Sequence, residues 1–247
     1  MDLNTEFVTL SVNDGTSMRA YVARPTGQTP RAGMLVFQEA FGVNAHIRDI
    51  TERFAREGYL CVAPELFHRT GPGFEGSYTD FGAIMPHFQG LTDAGLEADI
   101  RASFDWMQAT AKGVPIGSVG YCMGGRVSYL ASCIVPLACG VSYYGGGIAP
   151  SQYFPSLLHR VKEVQAPLLF FWGGLDQHIT PDQTQAVASA LREAQKSFIN
   201  VEISYADHGF FCDARPQYNA DAAAQSWALT LAFLETNFAG QNAAAGA

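Results

Sequence analysis

Short apolar runs alternate with stretches of helical periodicity from about residue 30 onward. The apolar runs are GMLVFQ (33–38), YLCVAPEL (59–66), PIGSVGY (115–121), ACGVSYYG (138–145), PLLFFWG (167–173) and VEISYA (201–206). Helical patterns lie at 45–57, 92–111, 123–134, 181–196 and 221–237. Alternating β and α units bury their apolar faces by forming a mostly parallel sheet with helices on both faces, so the sequence predicts an α/β fold.

The N-terminal segment has a different pattern. The run FVTLSV (7–12) leads into Asn13-Asp14-Gly15, which is a hairpin turn signal, and MRAYVARP (18–25) then alternates back. We therefore expect an antiparallel hairpin before the parallel units. With no repeat or linker, residues 1–247 are predicted to form one domain. Residues 67–91, rich in Gly, Pro and aromatics, are predicted to be a long pocket or lid loop, and 239–247 a frayed tail.

Composition argues against several classes of partner. The net charge is −8 and no basic cluster occurs, which argues against nucleic-acid binding. The N-terminal residues lack the basic start and apolar run that are typical of a signal peptide, so we expect none. The longest apolar runs are too short to span a bilayer. The five cysteines form no CxxC pair, so we expect free thiols, no metal site and a cytoplasmic location. A monomer and a homodimer both remain open.

Four polar residues directly follow predicted strands. They are Glu39, Cys122, Asp176 and His208. In a parallel sheet the carboxyl ends of the strands meet at one edge, where ligands bind. We therefore expect the functional site at this edge.

The stretch Gly120-Tyr-Cys122-Met-Gly124 fits a nucleophile turn between a strand and a helix. Small residues on either side let strand and helix approach, and the helix N-terminus favours a thiolate. The backbone N–H of Met123 would then point at a developing oxyanion, and the N–H of Ala40, in the loop after GMLVFQ, would supply a second donor. The alternative is that Cys122 is only a small buried residue.

A base and its orienting acid would complete such a site. His208 comes last in the order Cys–Asp–His, and Asp176 follows the preceding apolar run. His178 is a rival base that lies only two residues from Asp176. Asp207 and Asp182 are rival acids, the first adjacent to His208 and the second in a predicted first helical turn. The sequence favours His208 with Asp176.

Glu39 is unusual because a carboxylate directly after an apolar strand is costly to bury. It could be a solvated loop acid. Alternatively it could control the charge of Cys122, either by holding the thiol in a resting state or by accepting its proton.

Together these residues resemble the dienelactone hydrolase family of α/β-hydrolases. The resemblance covers about residues 6–238 and is carried by Gln38–Asn44 with Arg48, Pro64–Phe67, Gly120–Gly125, Tyr144-Gly145, Gly173–Asp176, His208–Phe210, Arg215 with Tyr218, and Trp227. It implies an α/β-hydrolase domain with a Cys122–His208–Asp176 triad and Glu39 as a switch that keeps the thiol at rest until substrate binds. The implied substrate is a small-molecule ester or lactone, with no metal or organic cofactor.

The chain departs from that family at the arginines that hold a substrate carboxylate. One family arginine follows the histidine by four residues, where this chain has Cys212. Another lies in the loop matching 67–91, which has no Arg or Lys after Arg69. Arg69 or Arg215 could take over this role, but neither aligns with a family arginine. We therefore expect broader or more neutral ester and lactone substrates. The pocket residues predicted on this basis are Phe41, Phe74, Tyr78, Phe81, Tyr144, Phe210, Cys212 and Arg215.

Other functions remain open from the sequence. The same thiolate and oxyanion hole could act on a thioester or a phosphotriester. A non-catalytic binding protein of this fold would need a broken triad, but every triad position is filled. A redox thiol protein would need a second cysteine near Cys122, and Cys212 is the candidate.

Overall fold

The computed structural model describes residues 1–245, with side chains through residue 239. The strands are β1 (Leu3–Ser11), β2 (Ser17–Pro25), β3 (Ala32–Phe37), β4 (Tyr59–Pro64), β5 (Ile116–Tyr121), β6 (Cys139–Tyr143), β7 (Leu168–Gly173) and β8 (Phe198–Ile203). The helices are α1 (Ala45–Arg56), α2 (Phe81–Gln89), α3 (Asp93–Thr110), α4 (Met123–Ile134), α5 (Pro181–Glu193) and α6 (Ala220–Ala245), with a 3₁₀ helix at Leu158–Glu163.

The strands follow the order β1-β2-β4-β3-β5-β6-β7-β8 in one sheet. Strands β3, β4 and β5 are buried at every position, as expected where both faces of a parallel sheet are covered. The predicted mostly parallel α/β fold is confirmed. The chain divides into two compact units, a first of Met1–Ser118 and a second from Val119 onward, and β5 runs from one into the other.

In the first unit the predicted N-terminal hairpin is confirmed. Strands β1 and β2 pair antiparallel from Leu3↔Pro25 to Ser11↔Ser17, and β2 then pairs antiparallel with β4. Gly15 takes a φ of +87°, a left-handed conformation that glycine adopts without strain. On its other side β4 pairs in parallel with β3.

The segment 67–91 is not only a loop, because α2 forms inside it. Asp80 caps this helix by accepting a hydrogen bond from the Ala83 N–H at 3.1 Å. Gly82 and Pro86 lie within it, and both are poor helix formers, which weakens the helical pattern of the sequence. The prediction of a long irregular loop was therefore wrong over Phe81–Gln89.

A buried carboxylate holds the start of this segment. Asp99 on α3 is fully buried and accepts hydrogen bonds from both Arg69 NH groups at 2.8 and 2.9 Å. His68 Nε2 lies 3.0 Å from the same carboxylate, and Arg69 also donates to Asp14 in the hairpin turn at 2.6 Å. Arg69 therefore forms ion pairs with two acids of its own unit, Asp14 and Asp99. Through Asp14 the hairpin turn also holds the start of the segment 67–91 in place.

In the second unit β6, β7 and β8 are mutually parallel. Helix α5 begins as predicted, with a capping box in which Thr180 and Gln183 satisfy each other's backbone N–H groups. Strand β8 begins and ends three residues before the predicted apolar run (201–206), and residues 204–207 connect it to His208.

The C-terminal helix is longer than expected. Helix α6 continues to Ala245, where a frayed tail was predicted from residue 239, and residues 246–247 lie outside the described part. Alanine is the best helix former, so the run after Asn242 extends the helix. Within the described chain, no helix combines the length and apolar character needed to cross a membrane.

Candidate active site

Cys122 occupies a strained turn between β5 and α4. Its φ of 54° and ψ of −119° lie in a region that non-glycine residues rarely adopt. The turn is fixed from both sides, because Cys122 N–H donates to the Tyr143 carbonyl at 3.0 Å and its carbonyl accepts from Gly125 N–H at 2.9 Å. The side chain is partly exposed, unlike the other four cysteines, which are buried.

The backbone packs so closely around Cys122 that the neighbouring Gly120 and Gly125 have no room for a side chain. A Cβ on Gly120 would overlap the backbone carbonyl of Gly124. A Cβ on Gly125 would lie 2.7 Å from the Cα of Gly145 and 2.6 Å from Ser142 Oγ. Helix α4 therefore approaches β5 and β6 at backbone distance. Met123 is the first residue of this helix, where N–H groups have no intrahelical acceptor.

His208 and Asp176 form a buried ion-pair geometry. His208 Nδ1 lies 2.8 Å from Asp176 Oδ2, and the two residues are 7% and 8% exposed. The other oxygen, Oδ1, accepts the backbone N–H groups of His178 at 2.7 Å and Ile179 at 3.0 Å. Asp176 therefore orients the imidazole with one oxygen and closes its own turn with the other.

The charges of this cluster support one another. Burial alone would lower the pKa of His208, but the charge of Cys122 and hydrogen bonds to Asp176 and Cys122 raise it to about 10. Burial alone would raise the pKa of Asp176, but the hydrogen bond and charge of His208, with the two backbone N–H groups, lower it. These shifts favour an imidazolium at His208 beside a carboxylate at Asp176.

The rivals considered from the sequence take other positions. His178 is exposed, and its contact with Asp176 is through its backbone N–H. Asp207 accepts the backbone N–H of its neighbour His208 at 2.6 Å. Asp182 lies in the first turn of α5. The structure brings together Cys122, His208 and Asp176.

An aromatic pair lies beside His208 in the second unit. The Tyr144 ring lies 5.1 Å from the His208 ring and 5.2 Å from Phe210, between centroids, and Tyr144 has a φ of 38°. Phe210 and Cys212 are fully buried. The Arg215 guanidinium lies where a side chain on Gly209 would project, so it packs directly on the loop that carries His208.

The remaining predicted site residues lie in the first unit. Glu39 is fully buried two residues after β3, and Ala40 and Phe41, which follow it in the chain, are also buried. Phe41 contacts Tyr78 and Phe81, with ring centroids 4.5 and 5.9 Å apart.

Three of the predicted pocket aromatics, Phe74, Tyr78 and Phe81, lie within the segment 67–91. Phe81, at the start of α2, is 57% exposed, and Phe74 packs on Phe67 with ring centroids 6.0 Å apart. Tyr78 OH accepts a hydrogen bond from Asn44 at 2.9 Å.

Sequence reasoning missed Arg126, which joins the helix after Cys122 to the loop at Gly147. Arg126 is fully buried on α4, lies 5.0 Å above the Phe154 ring and donates to the Gly147 carbonyl at 3.3 Å. The only signal was an arginine immediately after Gly-Gly in a helix that is otherwise apolar or small. Its partners lie more than 20 residues away, so no local pattern identifies them.

A cysteine on a strained strand-to-helix turn, with a histidine and an aspartate on later strand-end loops, defines an α/β-hydrolase. The model of the dienelactone hydrolase family matches residues 18–238. The chain belongs to the dienelactone hydrolase family, a family of ester and lactone hydrolases.

Individual relatives agree with this assignment. A Synechocystis protein described as "Putative carboxymethylenebutenolidase" is 36% identical over 236 residues, covering 92% of this chain and 94% of that one. The crystal structure of a "Putative Dienelactone Hydrolase" from Klebsiella pneumoniae superposes with a TM-score of 0.84 at 30% identity, covering 94% of this chain and 98% of that one.

A more distant structure shares the fold. It is a dienelactone hydrolase-like promiscuous phosphotriesterase from metagenomic libraries, with a TM-score of 0.82 at 21% identity. It covers 96% of this chain and 100% of that one.

Proposed function

We propose that the protein hydrolyses carboxylic esters or lactones through Cys122 as nucleophile, with His208 as general acid and base and Asp176 as its orienting carboxylate. The observation that carries this proposal is the buried His208–Asp176 bond of 2.8 Å with Cys122 as the other partner of the same imidazole. A thiolate needs such a cationic neighbour to be stable at neutral pH. The substrate is a small molecule.

In the first half-reaction the Cys122 thiolate attacks the substrate carbonyl carbon. The charge that develops on the carbonyl oxygen is stabilised by the N–H of Met123 at the start of α4 and, in our proposal, by the N–H of Ala40. The ester C–O bond then breaks, and the leaving alkoxide takes the proton from the His208 imidazolium. An acyl thioester on Cys122 and a neutral His208 remain.

In the second half-reaction neutral His208 accepts a proton from water. The resulting hydroxide adds to the thioester carbonyl, the C–S bond breaks, and the thiolate returns beside the imidazolium. Asp176 keeps Nδ1 protonated throughout, so Nε2 is the nitrogen that exchanges the proton. The acid product then leaves.

We propose that the pocket favours neutral esters and lactones over anionic ones. Three observations support this. Cys212, at the position of one family arginine, is fully buried; Arg69 is committed to Asp14 and Asp99; and the predicted pocket residues around Phe41 are aromatic. Without a bidentate arginine, binding of a substrate carboxylate is weakened.

One experiment tests both parts of this proposal. On mixing with excess 4-nitrophenyl acetate and quenching in acid, an acetyl group is expected on the peptide that contains Cys122, detected by mass spectrometry. The kcat/KM for this neutral ester is expected to equal or exceed that for a dienelactone. Acetylation elsewhere would refute the nucleophile, and a clear preference for the charged lactone would refute the breadth.

The role of Glu39 is also a proposal. Burying a carboxylate costs folding free energy, so a fully buried glutamate just after β3 suggests a functional role. We propose that this role is control of the Cys122 charge. Replacing Glu39 with glutamine is expected to shift the pH dependence of Cys122 alkylation by iodoacetamide. The direction of the shift separates the alternatives: faster alkylation at neutral pH means that Glu39 restrains the thiolate, and slower alkylation means that it activates it. An unchanged curve excludes both.

A further inference from the structure

A second imidazole contacts the one that Asp176 orients. The rings of His178 and His208 meet edge to face, with centroids 5.3 Å apart and planes at 80°. His208 is buried, whereas His178 is exposed to solvent. The buried imidazole is therefore in contact with an imidazole that faces solvent.

The backbone of His178 is held rigidly in this position. Its N–H donates to Asp176 Oδ1 at 2.7 Å, so one carboxylate fixes both histidines, the first through its ring and the second through its main chain. Other charged or titratable groups at this cluster are Asp176 itself, Cys122 in the turn before α4, Tyr144, whose ring lies 5.1 Å from that of His208, Asp207, which accepts the His208 N–H, and Arg215 on the His208 loop. Arg215 does not titrate in the neutral range.

The charge on His208 changes during the reaction proposed above. In the free enzyme the Cys122 thiolate favours the imidazolium, but in the acyl-enzyme the thiolate charge is gone and deacylation requires a neutral ring. A proton taken up by His208 from acidic solvent would stop deacylation. Any nearby positive charge opposes that uptake.

We propose that a proton on His178 disfavours a second proton on the adjacent His208 ring and so keeps His208 neutral in the acyl-enzyme. His178 is a positioning residue in this sense, because it acts on the proton of His208 and not on the substrate. The inference rests on the proposed function, since it requires an acyl-enzyme that His208 deacylates. Its consequence is that hydrolysis persists to lower pH than it would with an isolated base.

The test uses the acid limb of kcat for 4-nitrophenyl acetate. His178→Phe keeps a ring against His208 but cannot be charged, and its limb is expected to move to higher pH by about half a unit to one unit, the size of a screened charge at this distance. His178→Lys carries a fixed charge, and its limb is expected to lie at or below that of wild type. His159→Phe, a change at another exposed histidine, is the matched control and should leave the limb unchanged.

The two variants separate an electrostatic role from a structural one. The inference is wrong if the acid limb of kcat does not move to higher pH in His178→Phe. It is also wrong if the acid limb moves to higher pH in both His178→Phe and His178→Lys. Acid quenching of each variant distinguishes this failure from failure of the proposed function. Acetyl-Cys122 with an unmoved limb overturns only the role of His178, and absence of acetyl-Cys122 in wild type overturns both.

Discussion

Replacing Cys122 with alanine is expected to lower kcat/KM for 4-nitrophenyl acetate by about 10³- to 10⁶-fold, the range seen when a nucleophile is removed from a triad. His208 and Asp176 would remain, but no atom at position 122 could form the acyl bond. Because alanine also lacks the thiolate that favours the imidazolium, the pKa of His208 should fall in this variant. Steady-state kinetics and an NMR titration of the histidine ring measure the two effects separately.

Two further variants make the result specific. Cys133→Ala removes a buried thiol from α4, the helix that follows Cys122, and is expected to lower stability while leaving kcat/KM close to wild type. Cys122→Ser keeps a nucleophile in the same turn, and His208 can remove the hydroxyl proton during attack, so part of the activity should remain. The activity should be lower than wild type because a hydroxyl is a weaker nucleophile than a thiolate. Full activity in Cys122→Ala would mean that this cysteine is structural and that another residue carries the chemistry.

Replacing Gly120 with alanine is expected to destabilise the fold by about 3 kcal/mol or more, because the new methyl group overlaps a backbone carbonyl that cannot rotate away. The carbonyl belongs to Gly124 in the first turn of α4, so relief of the overlap must move the helix and with it Cys122. Urea unfolding followed by circular dichroism measures the loss of stability.

A nearby glycine provides the comparison. A Cβ on Gly146 would meet only the Ile179 side chain, at 3.7 and 3.8 Å, which is ordinary contact. Gly146→Ala is therefore expected to change stability by less than about 1 kcal/mol. If Gly120→Ala is as stable as Gly146→Ala, the close packing of β5 against α4 is not what the nucleophile turn depends on.

The elements that sequence reasoning located well are those with strong local signals. Helix α5 has a capping box at its first turn, and β3, β4 and β7 are continuous apolar runs. The errors occur where local preference and tertiary packing disagree. In α2 the pattern is interrupted by Gly82 and Pro86, and β8 is an edge strand whose half-exposed residues lack a clear alternation.

The proximity of Cys122, Asp176 and His208 was predictable because the carboxyl ends of parallel strands meet at one edge of a sheet. Three contacts were not predicted: Arg126 with the Gly147 carbonyl, Arg69 with Asp99, and Arg215 with Gly209. Each depends on a long side chain that crosses to a distant segment or folds back over a turn. Periodicity carries no information about such contacts.

The division of the Asp176 carboxylate between two partners makes this position difficult to change during evolution. One oxygen holds the His208 ring, and the other holds the backbone at His178 and Ile179. Asparagine presents only one acceptor oxygen, and glutamate places both oxygens one methylene further out. A lineage that loses aspartate here would therefore lose the shape of the loop and the orientation of the imidazole in a single step, and no order of compensating substitutions at 208 or 178 alone would restore both.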